Sequence, residues 1–156
     1  MSRLLNNWMV WSTVIQLANA SAATDDDGAR VCFTSDDASF YLRHSEGRWI
    51  VDEVDDRGQR HDDTASFSSF ELAEKYLIWN WASAARSAIR APVLGRRLYA
   101  GGFSPEVQVH QLREGIYKLT SPFGDAVLMG VRATIFSHLM SRSAEEVERM
   151  VRQDLT

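Results

Sequence analysis

Residues 68–92 read SSFELAEKYLIWNWASAARSAIRAP, and this stretch organises the rest of the chain. Ser68-Ser69-Phe70-Glu71 has the form of a capping box, in which the Ser68 hydroxyl accepts from an amide near Glu71 and the Glu71 carboxylate returns to the cap. A helix is therefore expected from this point. It should stop near Ile89, because Pro92 lacks an amide donor and pushes Ala91 out of the helical region. Phe70, Ala73, Leu77, Trp81, Ala84 and Ala88 form one stripe, and Tyr76 and Trp79 widen it. So broad an apolar face predicts a helix pressed on a sheet and covered by a second element.

On the N-terminal side lie three strand-like runs, Arg30 to Thr34, Ser39 to His44 and Arg48 to Val54, joined by short polar connections that make hairpins. Asp55 to Asp63 reads as a long charged loop, followed by a fourth strand near Thr64 to Phe67. In the third run Trp49, Val51 and Glu53 alternate with Ile50, Asp52 and Val54, and neither set is cleanly apolar. On the C-terminal side Val107 to Leu112, Ile116 to Thr120 and Ala126 to Met129 form a second meander. A helical segment over Thr134 to Leu139 follows, and a second capping box at Ser143 to Glu146 opens a final helix. Short turns cannot join parallel neighbours. The fold class is thus α+β: a mostly antiparallel sheet of two meanders packed on a central helix, with N- and C-terminal helices, in one domain over 1–156.

The first residues admit two readings. Arg3, the stretch Trp8 to Leu17 and the small residues Ala18 to Ala22 imitate a secretory leader. Against that, Leu4, Trp8, Trp11, Ile15 and Ala18 make a helical stripe, and Asn6, Asn7, Ser12 and Gln16 interrupt the apolar run, so the helix is preferred. A lone cysteine, Cys32, forms no intramolecular disulfide; it reads as a small buried hydrophobe and fits a reducing cytoplasm.

With 17 basic and 21 acidic residues the net charge is −4. Residues 1–75 hold 14 acids and 7 bases, and the remainder 7 and 10. Nucleic acid is excluded as a partner by this acidity, and a basic protein surface suits the N-terminal half. No apolar run reaches the roughly 18 residues of a membrane span. The sequence holds no G-x-S-x-G, Walker or H-x-x-x-H motif, so neither catalysis nor a metal or cofactor is expected. The Asp25-Asp26-Asp27-Gly28 turn lacks the later oxygen ligands of a calcium loop. His61-Asp62-Asp63 has the groups of a general base but reads as a solvated loop. Arg86 and Arg90, with Arg96 and Arg97, could grip an anion, although cations near a helix C-terminus are favoured by the dipole in any case.

Several runs carry a resemblance: RVCFTSDD from Arg30, FYLR from Phe40, GRWIV from Gly47, DRG from Asp56, FELAEKYL from Phe70 and ARS from Ala85. Together they resemble the bacterial immunity protein family sixty-one over roughly residues 5–150. The resemblance implies a non-catalytic cytoplasmic antitoxin that binds a secreted toxin one-to-one as a monomer and covers its active site. The best known toxin of that family hydrolyses NAD. It also implies that a protruding polar loop enters the toxin, and the segment Asp55 to Asp63 suits that task. Arg57, Gly58, Gln59 and Arg60 are the expected blocking residues, with His61 and Trp49 in support. Where a glycine is expected to end the first helix, Asn19 to Ala22 stand instead. Five tryptophans exceed the needs of the core, so one or more is expected at the surface. The rival reading is a secretion chaperone or adaptor gripping a protein substrate.

Overall fold

The computed structural model describes residues 1–25 and 27–155, which leaves Asp26 of the aspartate turn outside the described residues. An N-terminal helix α1 (Ser2–Ile15) leads into five strands: β1 (Ser21–Thr24), β2 (Arg30–Thr34), β3 (Ser39–Ser45), β4 (Arg48–Val54) and β5 (Arg60–Phe67). The central helix α2 (Phe70–Ala88) and a short α3 (Gly95–Ala100) cross to β6 (Gln108–Arg113), β7 (Ile116–Ser121) and β8 (Gly124–Met129), and α4 (Gly130–Ser137) and α5 (Ala144–Val151) close the chain. The eight strands form one sheet in the order β1-β2-β3-β4-β5-β8-β7-β6, antiparallel throughout. The expected α+β class with two meanders is the observed one; the meanders join where Ser66 and Phe67 pair with Val127 and Ala126.

The central helix is flanked as its wide apolar face requires. α1 and α5 pack against it, and its underside meets β4 and β5. An aromatic cluster ties the layers: Trp81 lies 4.9 Å from Phe33, 5.1 Å from Trp8 and 5.8 Å from Phe40, ring centre to ring centre. Such tilted and edge-on pairs add to the area they bury. Four of the five tryptophans, Trp8, Trp11, Trp79 and Trp81, are buried, and Trp49 is half-buried. The expectation of an exposed tryptophan is therefore corrected: α2 is covered on several sides and absorbs the bulk.

Local corrections have local causes. The α2 cap is Ser69, whose hydroxyl accepts from the Leu72 amide at 3.3 Å; the Ser68 hydroxyl instead accepts from the Asp125 amide at 2.9 Å and pins β8. The final helix opens at the expected cap, with the Ser143 hydroxyl accepting from the Glu146 amide at 3.1 Å. α1 ends without glycine because Gln16 itself takes the left-handed conformation, φ 62°, while the Leu17 amide reaches back to the Ser12 carbonyl. That reversal, with the Trp8 indole donating to the Ser21 carbonyl, turns the small-residue string Ser21–Thr24 into edge strand β1, which its composition does not suggest. Cys32 is only half-buried, since Val31 and Phe33 on either side of it take the core positions.

Candidate partner-binding face

Helices cover one face of the sheet, and alternation along each strand assigns side chains to that face or to the other. Val31, Phe33, Leu42 and Val51 point to the helices and are fully buried. Their neighbours Arg30, Cys32, Tyr41, Arg43, Ile50 and Asp52 share the uncovered face, in register across β2, β3 and β4. Here the polar half of the mixed third strand has its explanation.

Tyr41 is the centre of this face. The guanidinium carbons of Arg30 and Arg60 lie 5.1 and 5.0 Å from its ring centre, within cation–π range. Beside it, Asp52 is only 1% exposed and is held by three groups. Arg43 Nε donates to Oδ2 at 2.9 Å, Arg60 Nη2 to the same oxygen at 3.4 Å, and the Asp63 amide to Oδ1 at 2.9 Å. Arg43 and Arg60 reach further, to Asp63 at 2.5 Å and Asp62 at 2.7 Å. Burial by itself would raise the Asp52 pKa. The Arg43 hydrogen bond, the Asp63 amide and the two guanidinium charges outweigh burial, and the carboxyl titrates below its ordinary range.

This network corrects the loop expected over Asp55 to Asp63. Arg60 to Asp63 belong to β5, which carries a register shift opposite Val51 and Glu53, with Asp63 at φ 52°. A bulge absorbs the extra length, and the Asp52 carboxylate satisfies its amide. Only Asp55 to Gln59 remain as the connection, a tight turn. Asp55 Oδ1 accepts from the Arg57 and Gln59 amides at 3.0 and 2.9 Å, the Gly58 amide donates to the Asp55 carbonyl, and Gly58 sits at φ 77°. Glycine takes that conformation at no steric cost. The Asp55 carboxyl is held below its ordinary range by the His61 ring, 3.1 Å away, and by these amides.

The structure divides the six expected contact residues. Arg57, Gly58 and Gln59 are together at the exposed tip. Arg60 lies back over Tyr41 on the uncovered face, while His61 pairs with Glu53 toward the helix side. Trp49 is not brought to the turn. It occupies the opposite end of β4, stacked on His44 at 4.6 Å and edge-on to Phe70 at 5.3 Å. Sequence reading missed Arg30, Tyr41, Arg43 and Asp52. The period-two pattern was there to find them, but it does not say which face stays uncovered.

An open antiparallel sheet with helices on one side and an ordered polar platform on the other is a scaffold for surface contact. Among the described residues no group of three or more His, Cys, Asp or Glu is placed to hold a metal. The model of the family Immunity protein 61 matches residues 14–153, and the chain belongs to that family. Of solved structures, Rv3902c from M. tuberculosis is similar in fold, with a TM-score of 0.68 at 16% identity over 91% of this chain and 86% of that one. No curated protein matches the chain. The matched residues contain the whole uncovered face and the β4–β5 turn.

Proposed function

We propose that this protein is a non-catalytic antitoxin that binds its cognate secreted toxin one-to-one and covers the toxin's active site. The contact is the β4–β5 turn and the residues behind it: Arg57, Gly58 and Gln59 enter, Arg60 backs them from the uncovered face and His61 from the helix side. The toxin is an NAD glycohydrolase and the antitoxin works as one domain in the cytoplasm, as the family resemblance implies. No described helix is long and apolar enough to cross a membrane. The observation that carries this reading is membership of the immunity protein family across residues 14–153. The geometry agrees with a preorganised binder, since the Asp55 and Asp52 carboxylates hold turn and bulge before any partner arrives, which lowers the ordering cost of association.

The test is NAD consumption by the purified cognate toxin. One equivalent of the antitoxin is expected to stop it. Undiminished consumption at saturating antitoxin would refute the cover over the active site, a toxin that leaves NAD intact on its own would refute the NAD-glycohydrolase assignment, and absence of any complex would refute the antitoxin reading as well.

A further inference from the structure

The helix side of the molecule holds a separate concavity, away from the uncovered face. The central helix, the segment leading into α3, and α4 enclose a groove of about 350 Å³, at the small end of the roughly 300–1,000 Å³ typical of ligand pockets. Trp79, Ile135 and Phe136 supply apolar walls. Val93, Tyr99 and Val131 stand at the rim, each at least half exposed.

The polar lining has one sign of charge. Arg86, Arg96 and Arg132 line the groove, and no carboxylate is among the described lining residues. Arg132 is satisfied, donating to the Tyr76 hydroxyl at 2.7 Å and to Glu53 at 3.1 Å. Arg86 is not. It is 2% exposed, and its Nε and Nη1 donate to the carbonyls of Pro92, Val151 and Gln153 at 2.6–2.9 Å. These acceptors are neutral, and Nη2 is buried with no acceptor among the described residues. A guanidinium carries five N–H donors and a permanent charge. Buried, it needs a counter-ion or further acceptors to offset its desolvation.

We propose that the groove is a binding site for a small amphiphilic carboxylate. Its apolar body lies against Trp79, Ile135 and Phe136, and its carboxylate meets the exposed Arg96, with the buried Arg86 charge in the wall behind it. A cationic ligand would face three guanidiniums. A small inorganic anion would leave the apolar walls wet. The site is independent of the toxin-binding reading, and nothing in its test requires the toxin.

The experiment follows the tryptophan indole N–H signals of the full chain by NMR, with Trp79 assigned through Trp79→Phe, during titration with decanoate below its micellar concentration. Decanol and decyltrimethylammonium are the matched controls. Saturable movement of the Trp79 signal is expected, with decanoate at least about tenfold tighter than either control, as a charge-assisted hydrogen bond supplies. Arg86→Gln removes the buried charge and is expected to weaken decanoate. Because Arg86 also clamps the chain end, Arg96→Glu is the companion variant, expected to weaken decanoate at least about fivefold with its spectrum otherwise dispersed as in the wild type. No saturable movement, equal affinity for all three probes, or decanoate binding unchanged in Arg96→Glu would each overturn the proposal.

Discussion

The carboxylate of Asp52 on β4 accepts the backbone amide of Asp63 on β5 at 2.9 Å, across the bulge where Asp63 takes φ 52°. One side chain thereby decides that Arg60 to Asp63 run as strand. Asp52→Ala leaves that amide without its acceptor and takes one of two carboxylate partners from each of Arg43 and Arg60. The expected loss is about 2–3 kcal/mol, read from urea unfolding, with faster hydrogen exchange at the Asp63 amide. Unchanged exchange there would show that the bulge holds itself.

Two carboxyls give opposite limbs to stability against pH. Burial raises the pKa of Glu74, and its Arg3 partner only partly offsets this, so the native state favours the protonated form. Its contribution is full below the unfolded value and is lost as pH rises through the native one. Asp52 is lowered, so its contribution is full above the unfolded value and is lost as pH falls through the native one. Stability should rise slightly on acidification from neutrality and then fall. Glu74→Gln should flatten the first limb and Asp52→Asn the second, in urea midpoints between pH 3 and 7.

At the turn, a Cβ added to Gly58 meets no atom within 4 Å. Gly58→Trp should therefore cost the free protein only about 1–2 kcal/mol of left-handed strain, while lowering toxin affinity at least about 100-fold. Calorimetry with the cognate toxin decides this, and full affinity in the variant removes the turn from the contact.

Trp49 stands about 17 Å from the far end of its own strand, counting about 3.3 Å per residue. Trp49→Ala should lower stability by about 2–3 kcal/mol through lost contacts with His44 and Phe70. Toxin affinity should stay within about twofold. A large affinity loss in a folded variant would bring this end of β4 into the interface.

Gly124 takes φ 126°, and a Cβ there would collide with the Ser68 hydroxyl and come within 3.0 Å of Leu72. Gly124→Ala should cost about 2–4 kcal/mol and disturb the joint between the two meanders. Thermal unfolding measures it; a wild-type midpoint would mean that the Ser68 bond to Asp125 is dispensable.

Helix α2 was legible because its signals are local: the capping serines, the apolar stripe and Pro92 all act within a few residues, and only the choice between Ser68 and Ser69 went astray. The second capping box at Ser143 was read on the same grounds. The hairpins were equally plain from the short polar connections between the strand-like runs. Edge strand β1 was not legible, since Ser21–Thr24 has little strand character and pairs only because α1 turns back at Gln16. Nor was the bulge, because the acceptor that makes Asp63 part of a strand sits eleven residues earlier.

By itself the sequence determined the class of fold, the central helix with strands on either side, and the family through the runs around Arg30, Gly47 and Phe70. Periodicity and capping are properties of neighbours in the chain, and these need no tertiary information. Only the tertiary structure decided which sheet face stays bare, that Arg30 and Arg60 meet over Tyr41, and that the charged segment before Thr64 shrinks to the turn Asp55 to Gln59. Each of these depends on strand register and on buried charges finding partners from distant segments, and no local pattern encodes that.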